Sequence, residues 1–222
     1  MSVRYSAFSE PCDQSNEDTI VVKSDHESNK ALFMVCDGMG GLYRGDLASQ
    51  LVCDAFSTVW EEYHCFKSSS WIISHALEKT KENLDMMSRY NAGTTMVLAI
   101  LDGNDVTIAH LGDSKVFYYR PGNGMLYESS DHVSINEEGW SYVSKGIFNF
   151  RPLERPDIIE LKAIRGDKIL LCSDGVTNCF ESWRMPKLLQ EDLSPSSSLS
   201  ELKAFCNTYA RDNYSSIMVE LL

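Results

Sequence analysis

The chain alternates between short, dense apolar runs and longer stretches in which apolar residues return every three or four positions. Val3–Phe8 and Thr19–Val22 read as two short strands, joined by a polar turn through Pro11. Ala31–Cys36 is an unbroken apolar run with the length of a strand buried on both faces. It ends at Asp37-Gly38, with Gly40 and Gly41 close behind. Glycine opens backbone conformations closed to other residues and lets another group approach the main chain. Ala48, Leu51, Val52, Ala55, Phe56 and Val59 then fall at helical spacing. A second helical pattern, Trp71 to Tyr90, carries Ile73, Ala76, Leu77, Leu84 and Met87 on one face, behind serines of Lys67–Ser70 suited to N-capping. The spacing predicts two antiparallel helices joined by a short loop.

The remainder is β-rich. Thr94–Leu101, Val106–Leu111, Val116–Arg120, Met125–Ser129, Ile158–Ala163 and Lys168–Cys172 read as strands. Asp102–Asp105 and Pro121–Gly124 separate strands as turns, and Gly112-Asp113-Ser114 sets an acid beside a glycine at a strand end. Asp131-His132-Val133 opens an irregular stretch to Pro156. Ser173-Asp174-Gly175 nearly repeats the Asp37-Gly38 arrangement. A helical tail with a serine-rich surface loop at Ser194–Ser200 leads to Asp212-Asn213 and a final strand, Ile217–Leu222.

With 222 residues, 43% of them hydrophobic and 23% charged, the chain is expected to form one globular domain, 1–222. A net charge of -12 argues against nucleic acid or an anionic membrane as partner. The seven cysteines are scattered with no Cys-x-x-Cys pair, which suits small buried hydrophobes in a reducing cytosol. The N-terminal segment has no signal-peptide apolar core, and no window approaches the ~18 apolar residues of a membrane span. The expected protein is cytoplasmic, without a membrane partner.

Acids meet strand ends at Glu17/Asp18, Asp37, Asp174 and Asp212, with Asp113 a further case. If those strands share a sandwich, the carboxylates converge, and converging carboxylates repel unless cations neutralise them. Donors of oxygen alone select magnesium or manganese over zinc. Two such ions about 4 Å apart can share a carboxylate, generate a bound hydroxide and stabilise in-line displacement at phosphorus. Rival chemistries lack their motifs. Gly40 and Gly45 are followed by Asp46-Leu47 rather than the Lys-Ser/Thr of a P-loop, Tyr43 stands where a dinucleotide loop needs its third glycine, and there is no His-Glu-x-x-His. The five histidines show no ligand spacing and read as surface or packing residues, His132 beside Asp131 being the most open to another role.

Asn16-Glu17-Asp18, Asp37-Gly38-Met39-Gly40-Gly41, Gly45-Asp46-x-Ala48-Ser49, Gly93-Thr94-Thr95, Gly112-Asp113-Ser114, Gly166-Asp167, Ser173-Asp174-Gly175 and Asp212-Asn213 follow one another as in the metal-dependent type 2C serine/threonine protein phosphatases, which this chain resembles along nearly its whole length. Met39, where eukaryotic members have histidine, resembles bacterial members. The resemblance implies an α+β fold, a four-layer α-β-β-α sandwich of two antiparallel sheets flanked by pairs of antiparallel helices. It makes Asp37, Asp174 and Asp18 catalytic acids in a centre of two Mn2+ or Mg2+ ions. Asp37 would bridge them, the Gly38 carbonyl would bind one, and Asp174 and Asp212 would hold the other. Glu17 and Asp18 would orient bound waters. Asp113 would hold a third, weaker ion shared with Asp174, and Asn213 would support the ligand loop of the neighbouring Asp212. A metal-bridging water or hydroxide would attack phosphoserine or phosphothreonine directly. The implied partners are substrates of a serine/threonine kinase, and the expected state is a monomer.

Two departures stand out. Asp13 replaces the phosphate-gripping arginine usual three residues before Asn-Glu-Asp, leaving Arg44 as the candidate phosphate ligand. The flap region, about 131–156, is short, predicting an open cleft, weaker discrimination among peptides and a less organised third site. Both departures keep open a rival reading: a regulatory or pseudophosphatase module that binds a phosphoprotein without turnover. A cation-stabilised structural domain is a third.

Overall fold

The computed structural model describes residues 2–13, 15–86, 91–180, 184–190 and 193–222. Strands β1 (Val3–Glu10), β2 (Asp18–Asp25) and β3 (Lys30–Asp37) lead into helices α1 (Gly45–Tyr63) and α2 (Ser69–Asp85). β4 (Gly93–Thr94), β5 (Met96–Asp102), β6 (Asp105–Leu111), β7 (Lys115–Arg120) and β8 (Gly124–Glu128) follow, then β9 (Val133–Ile135), β10 (Ser141–Val143) and β11 (Ile147–Phe148). β12 (Asp157–Lys162), β13 (Lys168–Cys172), α3 (Asp174–Cys179), α4 (Met185–Gln190), α5 (Pro195–Tyr209) and β14 (Tyr214–Leu221) complete the order.

Alternation within β3 shows how the layers form. Successive side chains of a strand point to opposite faces. Ala31, Phe33 and Val35 meet Ile169, Leu171, Ile217 and Val219 in a core between two sheets. Leu32, Met34 and Cys36 turn the other way, onto Val52, Phe56 and Trp60 of α1 and Ile72, Ile73 and Ala76 of α2. With both faces buried, an unbroken apolar run is what this strand needs, and a slip of one residue would exchange its two cores. The first sheet has the order β1-β14-β13-β7-β8 and the second β12-β6-β5-β3-β2, both antiparallel. Behind the first sheet, Leu170, Cys172 and Met218 pack on Val176, Leu188, Leu199 and Leu202 of the last three helices. The result is the expected α-β-β-α sandwich. Its second helical layer is not a matched pair: α5 has fifteen residues, α3 and α4 six each.

Four expectations are corrected. Ser194–Ser200 is not a surface loop but the start of α5: the Ser194 hydroxyl accepts the Ser197 N–H at 3.3 Å, and Pro195 occupies a first-turn position whose missing N–H costs nothing. The stretch to Pro156 is not wholly irregular, since β9 and β10 form a small hairpin and β11 pairs with β4. The second helix ends at Asp85, capped at its start by Ser68; Met87 to Tyr90 lie outside the described residues. Cys12 and Cys65 are exposed rather than buried.

Candidate metal centre

Asp18 opens β2 and Asp37 closes β3, and the antiparallel register sets them directly opposite one another. Three hydrogen bonds fix the Asp37 backbone: its N–H donates to Thr95 Oγ1 (3.0 Å), and its carbonyl accepts from the Thr95 N–H (2.9 Å) and Thr94 Oγ1 (2.8 Å). Thr95 Oγ1 in turn shares a hydrogen bond with Ser114 Oγ (2.7 Å), linking this strand end to the Asp113 loop. The Gly38 N–H donates to the Glu17 carbonyl at 3.1 Å, and a Cβ on Gly38 would collide with the Gly45 and Glu17 carbonyls. Glycine is required because three segments meet there.

The other wall comes from far along the chain. Asp174 begins α3 directly after β13. The preceding hydroxyl, Ser173 Oγ, donates to Asp18 Oδ2 (2.7 Å) and accepts the Ser215 N–H (2.9 Å). One turn on, Asn178 Nδ2 donates to Asp174 Oδ2 at 3.0 Å. Asn213 joins the two walls: its Oδ1 accepts the Glu17 N–H (2.9 Å), its Nδ2 donates to the Ser15 carbonyl (3.0 Å), and its own N–H donates to Asp212 Oδ1 (2.8 Å). Glu17, Asp18, Asp37, Gly38, Asp174 and Asp212 therefore converge through hydrogen bonds between distant segments.

The electrostatics are those of a cluster short of positive charge. Burial raises the Asp37 carboxyl well above its ordinary range, and the charges of Asp18 and Asp174 push it further. Burial likewise raises Asp18, Asp174 and Glu17, with Asp212 adding to each. Asp113, between β6 and β7, is pushed up to about 6 by burial and then by Asp174. It lines a cavity of about 450 Å³ with Asp131, Asp174, Asn178 and residues of the β9–β10 hairpin. Glu17 Oε2 and Asp18 Oδ1 are buried with no hydrogen-bond partner. Orphaned carboxylate oxygens facing like charges are what a bound cation would satisfy, and oxygen-only donors suit a hard divalent ion.

Arg44 is exposed, and its guanidinium forks onto Asp46 (Nε to Oδ1 2.9 Å, a second nitrogen to Oδ2 3.1 Å). Asp13 is exposed. On the Asp212 side, a cavity of about 710 Å³ is lined by Gly175, Asn178, Arg184, Phe205, Tyr209 and Arg211. His132 proves to be a support for the Asp113 loop: its Nδ1 accepts the Gly112 N–H at 3.1 Å, and its Nε2 lies 3.1 Å from Asp157 Oδ2. Thr95, Ser114 and Ser173 stood in the sequence motifs without an assigned role, which the structure supplies, and Asn178 was not singled out at all. The signal for Asn178 was its place four residues after Asp174 on a helix.

Known proteins show the same framework. The serine/threonine phosphatase Stp of Listeria welshimeri is 27% identical over 220 residues, covering 88% of this chain and 86% of that protein. The structure of the serine/threonine phosphatase Stp1 from Staphylococcus aureus superposes with a TM-score of 0.84 at 20% identity, covering 100% of this chain and 96% of that one. The catalytic domain of the serine/threonine protein phosphatase PstP, solved with two manganese ions, superposes with a TM-score of 0.78 at 21% identity, covering 98% and 97%. The sequence profile of protein phosphatase 2C matches residues 12–222, a span that holds every acid of the cleft. On that match, with its acids gathered at the edge of the α-β-β-α sandwich, this chain belongs to the protein phosphatase 2C family.

Proposed function

We propose that this chain, acting as one domain over 1–222, is a phosphoserine/phosphothreonine protein phosphatase that works with two Mn2+ or Mg2+ ions. The observation that carries the reading is the pair of buried, unpartnered oxygens, Glu17 Oε2 and Asp18 Oδ1, inside a cluster of mutually repelling acids. Family membership and the two manganese ions of the PstP domain support it. Asp37, the Gly38 carbonyl, Asp174 and Asp212 are the residues that would hold the ions, with Asp113 for a third. Such ions, when bound, supply a nucleophilic water near neutral pH and offset the charge that develops at phosphorus. Glu17 and Asp18 orient water in the cleft. Asn213 and Ser173 keep the two walls in register, and Asn178 holds one Asp174 oxygen so that the other stays available. The substrate's phosphate needs a cation, and Arg44 would have to exchange its Asp46 partner to serve.

That pairing, with Asp13 in the place of an arginine, is what favours the second reading, a phosphoprotein-binding module without turnover. Hydrolysis of a phosphothreonine peptide and of an aryl phosphate, with manganese, magnesium or chelator, separates the two. The enzyme reading expects metal-dependent release that Asp37→Asn and Asp174→Asn each abolish in folded protein. Folded protein that binds the peptide but releases no phosphate with either metal would establish the binding module instead.

A further inference from the structure

At the end of β2 away from the acid cleft, three side chains of different chemistry converge. Asp18 and Asp25 stand at the two ends of this strand, so seven residue steps, roughly 23 Å, separate the places. The His64 ring caps the end of α1 and stacks on Trp60 (centroids 4.9 Å, planes 10° apart). Its Nδ1 lies 2.7 Å from the Trp60 carbonyl, which can only accept, so Nδ1 carries a proton. Its Nε2 faces Asp25 Oδ2 at 2.9 Å and Cys65 Sγ at 3.3 Å, and that sulfur is 3.9 Å from the same Asp25 oxygen. A nucleophilic thiol relay needs the thiol and the carboxylate on opposite ring nitrogens. Here both meet one nitrogen, and the second is already committed.

We propose that Asp25, His64 and Cys65 form a binding site for a borderline-soft divalent cation, zinc being the natural occupant. One nitrogen, one sulfur and one oxygen are a donor set that zinc accepts and magnesium does not favour. Tetrahedral zinc with ordinary bond lengths places such ligands ~3.3 Å (N to O), ~3.6 Å (N to S) and ~3.5 Å (S to O) apart. The three separations found here each need to change by about 0.4 Å or less to match. The outer contacts also suit ligands. The Trp60 carbonyl fixes the His64 tautomer so that Nε2 is the metal-facing atom, and the Glu27 N–H donates to Asp25 Oδ1 at 2.9 Å, leaving Oδ2 aimed inward. Asp25 and His64 line a cavity of about 490 Å³ together with His26, leaving the fourth position to water or to that imidazole. An ion here would tie the β2 end to the end of α1, far from the phosphatase centre.

The test is titration of the full-length, reduced protein with Co2+ in the presence of excess Mg2+, following the near-ultraviolet thiolate-to-cobalt charge-transfer band. The oxygen donors of the acid cleft cannot produce that band. We expect it at one equivalent, bleached by Zn2+, retained in Cys12→Ser and lost in Cys65→Ser and His64→Asn. Both substitutions fall at or beyond the helix end, so circular dichroism should report folded variants. Alkylation of Cys65 by iodoacetamide should slow at least tenfold with Zn2+. Absence of the band, its survival in Cys65→Ser, or alkylation indifferent to zinc would overturn the site.

Discussion

Two buried acidic regions of this molecule have opposite electrostatic fates. Asp167, fully buried, is surrounded by donors: Arg120 forks onto both its oxygens (2.8 and 2.7 Å), the Tyr118 hydroxyl donates at 2.6 Å and the Ile164 N–H at 3.0 Å. Burial opposes its ionisation, but Arg120 and Tyr118 prevail and hold its carboxyl below the ordinary range. In the cleft, burial and neighbouring acids act together, and Asp37, Asp18, Asp174, Glu17 and Asp113 are all raised. The Asp167 cluster is complete within the protein. The cleft is complete only with something added. The same residue type is thus neutralised in one region and left in mutual repulsion in the other, and the difference lies in whether the fold supplies the counter-charge.

The largest expected effect is on the complete cluster. Asp167→Ala strands the Arg120 guanidinium and the Tyr118 hydroxyl, and should cost about 3–5 kcal/mol in urea unfolding, with or without metal. A cost under about 1 kcal/mol would show that water replaces the carboxylate and would break the comparison. In the cleft, Asn178→Ala releases the Asp174 carboxylate and should weaken Mn2+ affinity by about tenfold to a hundredfold while leaving the unfolding midpoint of chelated protein almost unchanged. Calorimetric titration measures the first and denaturation the second. Smaller again, Asp37→Asn should modestly raise the urea midpoint of chelator-treated protein, because it removes a charge that burial and the neighbouring acids oppose. That same substitution should remove most of the metal-induced rise in melting temperature.

The pH dependence of the two regions should have opposite signs. Asp167, with its folded pKa depressed, contributes stability that is present above the unfolded value near 4 and lost as pH falls through the lower folded one. The cleft acids are raised, so in chelator they contribute stability below the unfolded value that is lost as pH rises, Asp113 through about 6. Chelated protein should therefore gain stability between pH 7 and 5, and saturating Mg2+ should flatten that slope. An identical slope with and without the ion would contradict the cleft's need for a cation.

What the sequence disclosed follows from what is local. A strand with both faces buried cannot carry an acid except at its end, so Asp37 after Ala31–Cys36 announced itself, as did Asp174 after Lys168–Cys172. The contacts that assemble the cleft left no such trace. Ser173 reaches Asp18 across 155 residues, and Asn213 reaches Glu17 across 196. No periodicity encodes a hydrogen bond of that span. Ser194–Ser200 misled for another reason: a serine-rich run reads as loop until one serine is seen capping the helix that the rest begin. Arg44 illustrates the limit at shortest range: it was considered because Asp13 stands where an arginine is usual, and its pairing with Asp46, two residues away, was not foreseen.

β14 is inserted between β1 and β13, pairing Val3 with Leu221 and Glu10 with Tyr214. Asp212 and Asn213 stand immediately ahead of it. The acid cleft is therefore assembled only once β14 has paired. A nascent chain paused short of β14 has exposed Asp37 and Asp174 but can neither close its first sheet nor bring Asp212 and Asn213 into place. Contacts of such long separation also make folding slow. One strand thus completes both the first sheet and the acid cleft, so neither is assembled without the other.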